Sequence, residues 1–144
     1  MRSYLFILAA VLTFAQADTK PPEGQRAVLT TFGKGVQIYA CQSGQWVFQA
    51  PEAKILDSTG KEIGTHAAGP VWTLNDGRSV KGKVAAKADA PSASDIPWLL
   101  LKGEGSFEYI RRSETHGGVA PTGTCETGAT TRVPYTATYT FYSR

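Results

Sequence analysis

The feature that most constrains the fold is a regular alternation of apolar and polar residues near the C-terminus. In RVPYTATYTFYS, residues 132–143, every second side chain is apolar or aromatic, and threonine occupies most of the positions between. Successive side chains of a β-strand point to opposite faces of the sheet. The alternation therefore predicts a strand with one buried and one solvated face.

Short polar turns separate further segments of this kind. The Ser-Gly pair at 43–44 divides GVQIYACQ from QWVFQA, STGK at 58–61 divides AKILD from EIGTHA, and Asn-Asp-Gly at 75–77 divides VWTL from SVKGKVAA. IPWLLLK is an uninterrupted apolar run, typical of a strand buried on both faces. We interpret Gly-Glu-Gly at 103–105 as the turn from that strand into SFEYIRR.

These segments predict an all-β fold. We expect a single-domain β-sandwich or a small closed β-barrel of about eight or nine antiparallel strands. Two longer irregular segments, 87–95 and 114–131, are the places where binding loops are expected.

The first seventeen residues have the character of an export signal. Arg2 precedes an apolar run, YLFILAAVLTF, that is short for a membrane span, and AQA at 15–17 has the small residues that signal peptidase requires. We expect a signal peptide over 1–17 and a single β domain over 18–144. The mature protein would be soluble, secreted or periplasmic, without stable membrane insertion after cleavage.

Cysteine content predicts a disulfide. Cys41 and Cys125 are the two cysteines of the chain, and an oxidising compartment favours their pairing. Such a bond closes a loop of roughly 85 residues, which in the chain-entropy model stabilises the fold by about 4–5 kcal/mol. The alternative, a metal site on two thiols, lacks CxxC-type spacing.

The charge balance argues against nucleic acid as a partner. Fifteen basic residues and twelve acidic ones give a net charge of +3, with the two signs interspersed. This is too weak for a nucleic-acid footprint. The partners we expect are an unknown small molecule or an exported protein.

Two histidines and a tryptophan are candidates for a ligand-binding site. His66 and Trp72 flank the Gly-Pro pair at 69–70, where we expect a bend that forms a cleft with the 114–125 segment, which carries His116. We expect a mainly architectural His66, whose ring N–H bonds a carbonyl left without a sheet partner near the bend. Its other nitrogen would then face the 114–125 segment.

A fourth candidate is Arg111. Arg111 and Arg112 are consecutive on a predicted strand, so that one of them points to each face. The inward arginine would require a carboxylate or an anionic ligand.

The sequence offers little for catalysis, and we assign no catalytic residue, cofactor or metal. It contains no GxSxG or HExxH motif, and no spacing selects a carboxylate pair. His66 and His116 could hold a metal ion only if they met in space. An enzyme is therefore an open alternative that the residues do not favour.

The chain resembles a secreted family of bacteria and fungi, domain of unknown function 3455 (DUF3455), over residues 35–144. The resemblance is carried by GVQIYACQ, GKEIGTHAAGPVW, IPWLLLK, GGVAPTGTC and VPYTATYTFY. The family has no established activity, so it implies no substrate. Some fungal relatives carry a dehydrogenase label, but dinucleotide binding requires GxGxxG between a strand and a helix, which the 103–105 segment lacks.

Three classes of function follow from these observations. The one we expect is an exported binding module for a small ligand or carbohydrate, with a cleft near 64–72 and 114–125. The alternatives are a protein-interaction module, such as an inhibitor of an exported hydrolase, and a histidine-dependent metal-binding protein or hydrolase.

Overall fold

A computed structural model describes residues 14–144 of the protein. Residues 1–13, which include most of the apolar run of the predicted signal peptide, lie outside the described part of the chain. Strands make up most of the described chain, and the one helix is five residues long, which confirms the predicted class. Its elements are α1 (Phe14–Asp18), β1 (Arg26–Gln42), β2 (Gln45–Leu56), β3 (Glu62–Ala67), β4 (Val71–Leu74), β5 (Ser79–Ala88), β6 (Trp98–Gly105), β7 (Tyr109–Gly117) and β8 (Thr130–Ser143).

The eight strands form one antiparallel sheet that closes in a ring. Each strand pairs with the next in sequence, and β1 also pairs with β8. The turns predicted at 43–44, 58–61 and 75–77 all connect neighbouring strands. Of the two predicted architectures the chain adopts the single closed sheet, in which every strand has a partner on both sides, although the short β3–β4 hairpin pairs with only residues 53–56 of β2 and 79–81 of β5.

The alternation in β8 places an aromatic face inside the ring. Tyr135, Tyr139 and Phe141 are buried there, and Trp72 of β4 packs edge-on against the last two of them. Together with aliphatic side chains from β2, β5, β6 and β7, these rings form the main core. The burial of large aromatic side chains is the main source of stability in such an interior.

The outer face of β8 is less exposed to solvent than the threonine-rich pattern of the sequence predicted. Thr140 and Tyr142 are both buried, so the expectation of a fully solvated face is wrong at this end of the strand. Thr140 pairs across the sheet with Arg111, and the Arg111 side chain binds residues 16–19 on the outside of the ring. The N-terminal segment thus covers part of this face in the uncleaved chain; residues 14–17 of it belong to the predicted signal peptide.

The predicted turn at 103–105 is also wrong, because β6 runs through it to Gly105 and the chain turns at 106–108. A Cβ atom on Gly103 would lie 2.3 Å from the backbone oxygen of Phe107, and one on Gly105 would lie 2.5 Å from that of Ser79. Glycine is required at these two positions because the backbone of another segment approaches closely, and not because the chain turns there.

The predicted disulfide between Cys41 and Cys125 is confirmed, with the two Cα atoms 5.9 Å apart and 84 residues between the cysteines in sequence. Backbone bonds reinforce it: the Cys125 N–H donates to Gly44, and the Gly128 N–H donates to the Cys41 carbonyl. The 118–129 segment is therefore fixed to the first hairpin. Within residues 14–144 there is no helix long and apolar enough to cross a membrane.

The packing of β8 leads to a stability prediction. Tyr139 is 1% exposed and contacts several rings, so Tyr139→Ala should lower the free energy of unfolding by about 3–5 kcal/mol. Thr138→Ala, on the opposite face of the same strand, should cost less than about 1 kcal/mol. Urea denaturation measures both, and equal losses would contradict the assigned inside and outside of the ring.

Candidate ligand-binding cavity

A cavity of about 300 Å³ lies inside the ring, beside the bend between β3 and β4. Two of its lining residues, Phe48 and Val84, are 50% and 52% exposed, which places them at its mouth. An engineered apolar cavity of about 150 Å³ can hold benzene, so this one has room for a molecule of one or two rings. Its apolar walls are formed by Phe48, Pro51, Pro70, Val84, Leu99 and Leu101.

His66 is the second-last residue of β3, directly before the bend, and it is buried inside the ring. Its Nδ1 atom is 3.1 Å from the carbonyl oxygen of Val71, the first residue of β4. A carbonyl can only accept, so Nδ1 carries the ring proton and Nε2 is an acceptor. This is the kind of contact that the sequence predicted for His66 at the bend.

The bend also pairs two rings. His66 and Trp72 are cross-strand partners in the β3–β4 hairpin, which brings their side chains together. The rings are stacked, with centroids 4.1 Å apart and planes 12° apart, and Tyr139 lies 5.1 Å from the imidazole. One face of Trp72 is therefore covered, and the indole serves as a wall of the cavity rather than as an open platform.

His66 is neutral at physiological pH. Burial lowers its pKa to about 4, and the positive charge of Arg112 acts in the same direction, while the bond to Val71 opposes them. The imidazole thus contributes a neutral acceptor and a flat surface to the cavity, and no charge.

Arg112 is the charged side chain of the cavity lining. Its Nε and Nη2 atoms donate to the carbonyl oxygen of Pro97 over 3.0 and 2.8 Å, which fixes one edge of the guanidinium. Within residues 14–144, no ion pair joins a carboxylate to Arg112. The arginine therefore brings an uncompensated positive charge to an otherwise apolar wall.

The tyrosines beside Arg112 do not compensate this charge. The hydroxyls of Tyr135 and Tyr139 share a hydrogen bond of 2.8 Å. Burial raises the pKa of both groups well above the ordinary value, although the charge of Arg112 acts to lower it. Both phenols stay protonated and are hydrogen-bonded to each other, and the Tyr139 hydroxyl also accepts from the Arg112 side chain.

Two polar atoms of the lining residues are buried without a partner in the described part of the chain: Gln37 Oε1 and Trp72 Nε1. A buried donor or acceptor left unpaired costs about 1–3 kcal/mol. Both atoms are themselves fully buried, so a ligand in the cavity would reach them only after a small movement of the Gln37 or Trp72 side chain.

Arg111 points away from the cavity. Its Nε donates to Thr19 Oγ1 over 3.2 Å, its Nη2 donates to the Gln16 carbonyl over 2.9 Å, and its guanidinium lies 5.5 Å from the Trp98 ring centroid. These contacts hold the N-terminal segment on the outer face of the ring. Of the two consecutive arginines, the inward one is Arg112.

His116 is also separate from the cavity. It is exposed, pairs with Thr136 and lines a shallow outer groove that His66 does not border. The nearby Gly117 N–H donates to Asp95 Oδ1 over 2.8 Å, so the two irregular segments of the sequence contact each other. The 114–125 segment therefore does not form a cleft with the 64–72 bend. Among residues 14–144 there is no cluster of three or more His, Cys, Asp or Glu side chains suited to a metal ion.

Sequence reasoning did not select Gln37, Arg112 or Tyr139 as cavity residues. The pairing of Leu99 with Arg112 places Arg112 inside, because Leu99 lies on the cavity wall. In the sequence, only the apolar character of β6 could have suggested this register between β6 and β7. Gln37 gave one weak signal, since it is a polar residue at an inward position of β1, a face that it shares with Thr31.

The fold and this cavity define a small antiparallel all-β domain with a partly polar interior chamber. The chain belongs to the family described as Protein of unknown function (DUF3455), whose model matches residues 21–143, so the resemblance is confirmed. No curated protein and no solved structure matches the chain.

The buried histidine makes stability depend on pH. Because the pKa of His66 is about 4 in the folded state and 6.5 in the reference state, the unfolded chain takes up a proton first as the pH falls. The free energy of unfolding should therefore be highest above pH 6.5. It should fall by about 3 kcal/mol in total as the pH is lowered from about 6.5 to 4.

Urea denaturation across this range tests the assignment. The wild type and the control His116→Gln should lose stability together, whereas His66→Gln, which keeps an N–H donor but does not titrate, should show a much flatter dependence. The same slope in all three proteins would mean that His66 is not the group responsible.

Proposed function

We propose that this protein is an exported binding protein that holds a small ring-containing organic molecule in the interior cavity. The observation that carries the proposal is the pair of unpartnered polar atoms, Gln37 Oε1 and Trp72 Nε1, among the lining residues of a largely apolar chamber. Binding sites for small molecules combine apolar walls with a few convergent polar groups in this way.

The walls favour a flat ligand. Trp72 is held by its stack on His66, and Leu99 and Leu101 line the same cavity from β6, with β5 between the two strands. These surfaces suit a ring that buries apolar area, with hydrogen bonds at its edge. A carbohydrate fits less well, because its many hydroxyls would have few partners on such walls.

Export is supported by two features. The disulfide between Cys41 and Cys125 is typical of oxidising compartments, and the N-terminal residues have the pattern of a signal peptide. A ligand would then be captured outside the cytoplasm. The inhibitor and histidine–metal hypotheses stay predictions that no particular contact favours.

The proposal predicts saturable binding of a neutral bicyclic probe, 2-naphthamide. Its amide N–H can donate to Gln37 Oε1 and its carbonyl can accept from Trp72 Nε1–H. Val84→Trp should narrow the mouth and weaken binding by about tenfold, equivalent to about 1.4 kcal/mol. Isothermal titration calorimetry measures both affinities.

The matched control is Val47→Trp, at a partly exposed position of β2 that does not line the cavity. It should leave the affinity within about twofold of the wild type. Absence of saturable binding to the wild type, or equal weakening by the two variants, would contradict the proposal.

A further inference from the structure

We infer that the ligand of the interior cavity is a small ring-bearing monocarboxylate, with Arg112 as its counter-charge; this inference rests on the proposed function and names the ligand class. The lining contains one permanent cation and no acidic side chain. Arg112 also lacks a carboxylate partner in the described chain.

An arginine at a largely apolar wall is costly when its charge is unpaired. A buried or half-buried charge is stabilised by an opposite charge or by several hydrogen bonds. Pro97 supplies one carbonyl oxygen to two N–H groups of Arg112, and the Tyr139 hydroxyl is a further, neutral partner of the guanidinium, so none of its bonds is to a negatively charged group. A guanidinium matches the two oxygens of a carboxylate better than any neutral group.

The neighbouring polar groups also favour an acceptor-rich ligand. Trp72 Nε1–H can only donate, and it has no acceptor within the described chain. The Gln37 amide can present its NH₂ group in place of its oxygen after a half-turn about its last torsion angle. Arg112, Trp72 and Gln37 all border this cavity, and each carries a donor group.

No other group of the lining competes for this role. His66 is neutral, since burial lowers its pKa, and the Tyr139 hydroxyl is bonded to Tyr135. One arginine and a cavity of about 300 Å³ suit a ligand with one negative charge and one or two rings.

A pair of probes of nearly equal shape tests the inference. Calorimetric affinities of 2-naphthoate and 2-naphthamide are compared for the wild type, Arg112→Gln and Arg111→Gln at neutral pH. The wild type should bind the carboxylate at least about tenfold more tightly than the amide, as expected for a hydrogen bond to a charged group. Arg112→Gln should abolish this preference.

Arg111→Gln is the matched control, because it removes the same charge from the adjacent residue on the outer face. It should retain the preference for the carboxylate. The comparison of the two probes on the wild type needs no variant, so it stays decisive even if Arg112→Gln fails to fold.

The outcomes separate this inference from the proposed function. Equal affinity of the wild type for both probes, or a preference that Arg112→Gln preserves, would overturn the carboxylate assignment and leave the cavity as a binding site for neutral rings. Failure of both probes to bind would overturn the proposed function together with it.

Discussion

Closure of the sheet is the constraint on which the rest of the structure depends. Strand β1 pairs with β2 on one side and with β8 on the other, so both ends of the sheet meet on one strand. Gly33 and Gly35 make room for this. A Cβ atom on Gly35 would lie 2.1 Å from the Glu52 oxygen, and one on Gly33 would lie 2.4 Å from the Tyr139 ring. With side chains at these two positions, β2 and the Tyr139 ring would have to move away from β1.

The closed ring then determines what the interior contains. Aromatic side chains of β4 and β8 fill much of it, and the stack of His66 on Trp72 fixes the bend between β3 and β4. Two polar atoms of the residues that border the cavity, Gln37 Oε1 and Trp72 Nε1, are buried without a protein partner in the described chain. The same closure that stabilises the fold therefore creates the unsatisfied lining that we assign to a ligand.

The sequence predicted the features that depend on local pattern. Period-two alternation, turn residues and cysteine count gave the fold class, three hairpins, the inward face of β8 and the disulfide. A hydrogen bond from the His66 ring to a backbone carbonyl near the bend was also predicted, but the acceptor, Val71, lies in β4 and not at the end of β3.

Features that depend on register and bulges were not predictable in this way. The register between Ser113 and His116 in β7 shifts against β8, and Glu114 within this shift has a φ of 46°. A shift of one residue exchanges the inside and outside of a strand. The alternation showed that one of two consecutive arginines points inward, but it did not show which, and so Arg111 was selected in place of Arg112.

The most direct test of the interior site is the indole N–H resonance of each tryptophan in a ¹H–¹⁵N correlation spectrum, recorded while 2-naphthoate is added. Trp72 lines the cavity, whereas Trp98 packs beneath α1 on the outer face and Trp46 lies near the disulfide at Cys41. The account predicts a saturable downfield shift of the Trp72 signal with little change in the other two. A shift of the Trp98 or Trp46 signal while Trp72 stays fixed would contradict it.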